Sequence, residues 1–335
     1  MIGVSVVIPT YDRARLLART LPALVSQQTE GTDYEIVFVD DGSSDGTRSL
    51  LEQAARSNPA KLRYFRLPHT GSPAGPRNYG VREARGHIIV FLDDDVLPDK
   101  DLVLCHWKYH QRQVADDYAG LGELYLGVET RRDPMSLFHT FPYHEVSHKS
   151  TLNYLYFWTC NVSLKREFLI QGVMFDEDPV LHPLEDMEFG YRLFCRGLRL
   201  EFLPEARGEH LHEIQPPSVS ALGWRTGRAQ SALMRKVPDV GVQKRFGIIT
   251  GDLSLRMFLW RLLRRTAFRV VDNPITHAVL RALGAERGRR SRVTDLYYYL
   301  IFRRSILAGY YSAKQQSKGE VVDSGVRGEF SSVPK

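Results

Sequence analysis

The sequence predicts an α/β fold with a mostly parallel central sheet flanked by helices, and two observations carry that expectation. Strand-like and helix-like stretches alternate through the first hundred residues, and three of the strand-like stretches end in clusters of acids, glycines and hydroxyl side chains. Such alternation reads as successive right-handed βαβ units on one sheet.

Each element follows from its local pattern. Val4–Pro9 and Tyr34–Val39 are short runs rich in β-branched residues, as expected of strands. Between them, a helix is predicted from about Arg13 to Gln28, in which Pro22 should cause a kink or a break. A second helix is expected over Thr47–Ser57, a strand over Leu62–Phe65, a helical piece near Arg77–Ala84 and a strand over His87–Leu92. After Asp99 the rhythm gives way to irregular, aromatic-rich sequence. It returns with an expected strand at Tyr156–Leu164 and a helix at Leu184–Arg196. From about Ser218 the chain reads as helical and arginine-rich, and residues 313–335 are polar with scattered glycines, the composition of a disordered tail.

Composition narrows the class. With 335 residues, 43% hydrophobic and 25% charged, the chain can bury a sizeable core. Cys105, Cys160 and Cys195 lie far apart without a C-x-x-C pair, which suggests neither a disulfide framework nor a cysteine zinc site, so a reducing compartment fits best. The opening residues have no basic n-region, and no apolar run approaches the roughly 18 to 20 residues that cross a bilayer. A cytoplasmic protein is therefore expected. The net charge of +6 is uneven, because residues 251–312 hold twelve arginines against four acids. A basic segment seeks anionic partners, membrane surface or nucleic acid, but no recognisable nucleic-acid motif accompanies the charge.

The chemistry is concentrated at the predicted strand ends, where ligands bind in open parallel sheets. Pro9-Thr10-Tyr11-Asp12, Asp40-Asp41-Gly42-Ser43-Ser44-Asp45 and Asp93-Asp94-Asp95 would converge on one edge. Acids and glycines after strands also make turns and helix caps, and Ser44 or Asp45 is expected to cap the second helix. The aspartate triplet is the most informative, because it ends a buried strand with no lysine or arginine beside it in sequence. A bound cation relieves such repulsion, and hard oxygen ligands suit Mg2+ or Mn2+. Neither G-x-G-x-x-G after the first strand nor G-x-x-x-x-G-K-[ST] is present, which argues against dinucleotide oxidoreductases and P-loop NTPases.

Four stretches, Val4–Asp12, Val39–Thr47, Gly75-Pro-Arg-Asn-Tyr-Gly80 and Phe91–Asp95, closely resemble the successive motifs of family 2 glycosyltransferases with the GT-A fold. The resemblance continues through Asn161–Arg166 and Leu184–Leu193, the latter similar to bacterial chondroitin-type polymerases, and runs to about residue 215. It implies a GT-A nucleotide-diphospho-sugar transferase fold over residues 1–217, with a nucleotide-binding half (1–100) and an acceptor half (101–217). A helical basic extension (218–312) and the tail (313–335) would follow.

By the same resemblance, Pro9, Thr10, Tyr11 and Asp41 would hold the nucleoside and Arg77 would meet the pyrophosphate. Asp94 and Asp95 would hold ribose and metal respectively, with Asp93 able to share either role. Asp186 matches the family's catalytic base, although acids in a first helical turn are also favoured by the helix dipole. Glu185, Asn161 and Trp158 are candidates for acceptor contact or support. Some metal-dependent relatives place a closing histidine on the metal after the base helix, and His212 matches that position better than His210.

The implied reaction is transfer of a sugar from a nucleoside-diphosphate sugar, a UDP-sugar by this resemblance, to a glycan or lipid-linked acceptor. A sugar nucleotidyltransferase would want a glycine-rich basic loop where Asp12-Arg13-Ala14-Arg15 stands, and a non-catalytic binding module would not need Asp95, Asn161 and Asp186 together. In the tail, Leu255, Phe258, Leu259, Leu262, Leu263 and Val270 fall near one helical face with arginines elsewhere, and Leu296–Phe302 precedes Arg303-Arg304. This pattern suits peripheral attachment to an anionic cytoplasmic membrane face.

Overall fold

The computed structural model describes residues 2–133, 135–136, 141–211, 218–246, 272–283 and 290–316. Four parallel strands form its first half: β1 (Val4–Thr10), β2 (Tyr34–Asp40), β3 (Leu62–Arg66) and β4 (Ile88–Leu92). β1 lies between β2 and β4, with Val4 opposite Tyr34 on one side and Ile88 on the other. Every residue of β1, β2 and β4 is buried, so these strands carry apolar residues on both faces.

Helices α1 (Ala14–Val25), α2 (Thr47–Ser57) and α3 (Ala74–Glu83) supply the crossovers. Pro22 does not end α1. It falls in the last turn, where its missing N–H forfeits a single bond and the buried Leu17, Leu21 and Leu24 keep the helix on the sheet. Asp45 acts at the start of α2, its carboxylate accepting from the Thr47 N–H at 2.8 Å, and it also accepts from Ala14 N–H at 3.1 Å.

The second half closes the sheet as β5 (Val96–Pro98), β6 (Tyr118–Tyr125), β7 (Asn161–Lys165) and β8 (Arg199–His210), in the order β3-β2-β1-β4-β7-β6-β8-β5. β7 is shorter than the sequence suggests. Tyr154–Tyr156 form a 3-10 turn, because their rings pack into the core rather than alternating across a sheet. Between these strands lie α4 (Leu102–Arg112), α5 (Val128–Arg132), α6 (Arg166–Ile170) and α7 (Glu185–Cys195).

The extension is not a separate body. In α8 (Ser218–Lys236), Ala232 and Leu233 share an apolar cluster with Tyr154, Leu155, Leu181 and Met187 of the sheet domain, and α9 (Val240–Arg245) adds Val242. Lys236 pairs with Asp176 across the same seam. The helices Pro274–Ala282 and Arg292–Gln316 follow, the last packing along α8.

Two expectations for the tail change, and a third is not reached. Tyr297, Tyr298 and Leu300 are buried with Met135, Val219 and Leu280, so most of the aromatic cluster serves packing. The terminal helix runs to Gln316 with Ala313 buried, past the expected start of disorder. The amphipathic stretch at 255–270 lies outside the described residues. Among the described residues no helix is long and apolar enough to cross a membrane.

Candidate active site

Parallel strands point their carboxyl ends the same way, so β1, β2 and β4 deliver Thr10, Asp41 and the Asp93–Asp95 triplet to one edge. Thr10 Oγ1 donates to Asp94 Oδ2 at 2.6 Å, and Arg13 Nε lies 3.8 Å from the other oxygen of the same carboxylate. Asp94 is buried, and its pKa is pushed up to about 7 by removal from water and then by the charge of Asp95. Like charges at the strand end therefore do repel, as its sequence implies.

Arg77, on α3, joins the two halves of the site. Its guanidinium is buried; Nη2 donates to Asp93 Oδ1 at 2.9 Å and Nη1 to Glu185 Oε1 at 2.8 Å. His182 Nδ1 lies 3.2 Å from the other Glu185 oxygen. Burial alone would raise Glu185, but the His182 contact and the Arg77 charge hold its pKa down to about 2. Asp186, the next residue, is raised to about 8, first by desolvation and then by the Glu185 charge. Two adjacent carboxylates thus differ in charge state, one held ionised by His182 and Arg77 and the other raised by burial beside that charge. Arg77, expected at a pyrophosphate, here gives one N–H of each terminal nitrogen to a carboxylate, two of the guanidinium's five donors.

The histidine beside the triplet is His210. β5 pairs antiparallel with β8 so that Val96 faces His210, which sets His210 Nε2 3.4 Å from Asp95 Oδ1. His212 lies outside the described residues. Among the described residues no three His, Cys, Asp or Glu side chains converge into a self-sufficient metal cage. A buried carboxylate and imidazole beside further acidic charge nevertheless fit an ion that takes one or two protein ligands and fills its remaining positions from substrate phosphates and water.

Tyr11, just after β1, stacks its ring on His69 of the loop after β3, with centroids 4.2 Å apart and planes at 24°. Asp41 stands beneath them, but its carboxylate accepts from Thr70 N–H at 2.9 Å, Thr70 Oγ1 at 2.8 Å and Gly71 N–H at 3.2 Å. It therefore shapes the 69–71 loop. Asp12 adopts φ 51°, and its carboxylate accepts from the Ser44 and Asp45 N–H groups, closing the loop after β2 onto the loop after β1.

Three further candidates are buried beside this cluster, Asn161 opposite Leu92 in the β4–β7 ladder. Pro9 is a buried strand residue opposite Val39. Asn161 is fully buried, donating to the Ala206 carbonyl at 2.9 Å while its Oδ1 lies 2.9 Å from His106 Nε2, so its side chain is held in the core. Trp158 is buried against Phe141, Tyr143 and Tyr156. Sequence reasoning also passed over Arg13 and His69 and assigned no contact to His182; proline after His182 and the proximity of Glu185 were the available signals for the last.

Comparison with known proteins gives a consistent picture. The sequence profile of Glycosyl transferase family 2 matches residues 5–172. Validoxylamine A glucosyltransferase of Streptomyces hygroscopicus subsp. jinggangensis is 31% identical over 246 residues, 64% of this chain and 58% of that protein. Chondroitin synthase of Escherichia coli is 26% identical over 249 residues, 64% of this chain and 35% of that protein. The chain thus spans little more than half of the first relative and about a third of the second. The solved mannosyltransferase PcManGT from Pyrobaculum calidifontis, in complex with GDP-Man and Mn2+, superposes with a TM-score of 0.61 at 18% identity, covering 92% of this chain and 86% of that one.

Proposed function

The chain belongs to Glycosyl transferase family 2 and has a GT-A-like fold, and we propose that it is an inverting transferase that moves a sugar from a nucleoside-diphosphate sugar, a UDP-sugar by preference, to an acceptor hydroxyl. The acceptor is read as a glycan or lipid-linked glycan in polysaccharide or glycolipid synthesis, approached at an anionic cytoplasmic membrane face. Residues 1–217 are assigned to catalysis and 218–312 to the extension.

The observation that carries this reading is the Arg77 bridge, which fixes the Glu185-Asp186 start of α7 against the Asp93–Asp95 strand end. Donor-side acids and a titratable acceptor-side carboxylate are thereby held in one site. In the proposed single displacement, the acceptor oxygen forms a bond to the anomeric carbon as the bond from that carbon to the diphosphate breaks. The hydroxyl proton passes to Asp186, and the bonding electron pair leaves on the nucleoside diphosphate. Thr10 and Arg13 hold Asp94 toward the ribose, while Tyr11 and His69 offer ring faces to the base. Asp95 and His210 would hold Mg2+ or Mn2+, which supplies Lewis-acid stabilisation of the departing diphosphate.

A panel of nucleotide sugars, scored for metal-dependent release of nucleoside diphosphate with and without an acceptor mixture, tests the proposal. One preferred donor and loss of release in Asp186→Asn are expected. Failure of every nucleotide to bind or turn over would overturn it.

A further inference from the structure

The helix Pro274–Ala282 is built the wrong way round for a surface helix in water. It buries only His277 and Leu280, while Ile275, Ala278, Val279 and Ala282 look outward, with Leu283 just past its end also exposed. The large side chains are far from marginal: Ile275 is 77% exposed, Val279 50% and Leu283 64%. A solvent-facing helix ordinarily turns charged residues outward along this stripe. The inward side is firmly seated, since Leu280 packs with Tyr297, Tyr298 and Leu300 of the terminal helix and His277 Nε2 lies 2.7 Å from Asp272 Oδ1. The apolar stripe is therefore held outward by a core behind it.

The surroundings of the stripe say what covers it. On the terminal helix of the same lobe, Leu296 and Tyr299 are 41% and 43% exposed on one face, and Arg292 shares that face. Arg281 and Arg292 are exposed and take no ion pair among the described residues. Outward aliphatics and a tyrosine with unpaired arginines, on segments 272–283 and 290–316 that carry six basic side chains against Asp272 and Asp295, are the arrangement that inserts into an anionic bilayer surface. Isologous packing of this face against a second copy would bring the same arginines toward each other.

We propose that this lobe is a membrane-docking surface for anionic phospholipid, in which Ile275, Val279 and Leu283 enter the acyl boundary and Arg281 and Arg292 meet lipid phosphates. The inference deepens the membrane-proximal acceptor reading above and rests on it for its functional meaning. It differs in placing the insertion on the outward stripe rather than on Leu296–Phe302 as a whole.

The test is co-sedimentation of the full chain with vesicles of two parts phosphatidylcholine to one part phosphatidylglycerol, at low and high salt. The chain should pellet at low salt and be released as salt rises. Ile275→Ser/Val279→Ser/Leu283→Ser should bind at least roughly tenfold more weakly, because three exposed aliphatics no longer gain from burial, with its circular dichroism unchanged. Equal binding of the triple variant would overturn the stripe as the docking element. No binding by the unmodified chain would overturn membrane docking altogether. Concentration-dependent self-association that the triple substitution abolishes, without vesicle binding, would assign the stripe to a second copy and overturn the lipid reading. Since vesicle binding needs no sugar nucleotide, a failed donor panel strikes the proposed reaction and leaves this result to stand on its own.

Discussion

Asp186 sits where a carboxylate is least comfortable ionised, beside the buried charge of Glu185 and removed from water. If it is the base, Asp186→Asn should lower kcat by roughly a hundredfold or more with nucleotide affinity nearly unchanged, measured by steady-state turnover beside calorimetric nucleotide binding. Equal loss of nucleotide binding would instead assign it a structural role. Its elevated pKa also fixes a sign. A carboxyl whose folded pKa is raised from 3.8 to about 8 contributes stability below its unfolded pKa and loses it as pH rises through the folded value. Asp186→Asn should therefore melt higher than the unmodified chain at pH 9 and gain less at pH 5. Glu185 has the opposite sign: lowered from 4.5 to about 2, it stabilises the fold above its unfolded pKa and ceases to do so only as pH falls through about 2. Glu185→Gln removes one of the two carboxylates on the buried Arg77 guanidinium, leaving Asp93, and should cost about 1.5 to 3 kcal/mol near pH 7, read from urea unfolding. An unchanged midpoint would mean that Asp93 alone satisfies Arg77.

At the scale of elements, the contact of α8 with the terminal helix is set by glycines. A Cβ at Gly227 would collide with the Ile306 carbonyl and lie 2.7 Å from Tyr310 N, and one at Gly223 would lie 2.7 Å from the Phe302 carbonyl. Backbone meets backbone here, so no side chain can rotate aside. Gly227→Ala should push the helices apart and cost about 1 to 3 kcal/mol, seen as an earlier urea midpoint. A second contact of α8 covers α7, because Met187 of α7 and Leu181 just before it share an apolar cluster with Leu233, Val237 and Val242. A chain ended at Pro217 would uncover them, and we expect it to aggregate or melt well below the full chain. An equally stable truncated chain would show that the sheet domain folds without its extension.

For the whole molecule, the decisive question is how donor and acceptor halves are brought to one edge. Chelation should abolish turnover, and Asp95→Asn or His210→Ala should do so with the far-ultraviolet spectrum retained; full activity in excess chelator would remove the metal from the proposed mechanism. The sequence by itself determined the parallel first half, because hydrophobic periodicity and polar strand ends are local properties: α2 falls at Thr47–Ser57 as expected, and β1 to β4 differ from expectation by one residue at an end. It also determined the family, through short motifs tied to those strand ends. Tertiary structure decided the partners. That Arg77 bridges Asp93 and Glu185 depends on α3 and α7 meeting across 108 residues. That His210 reaches Asp95 depends on the β5–β8 register, in which a shift of one residue would turn the imidazole to the other face. Asn161 reads alike in sequence whether it faces a ligand or the core, and only the packing of His106 and Ala206 around it assigns it to the core. Local pattern fixes which residues lie on a strand end or helix face, but long-range packing chooses which charges meet, because ion pairs and hydrogen bonds depend on ångström distances that no periodicity encodes.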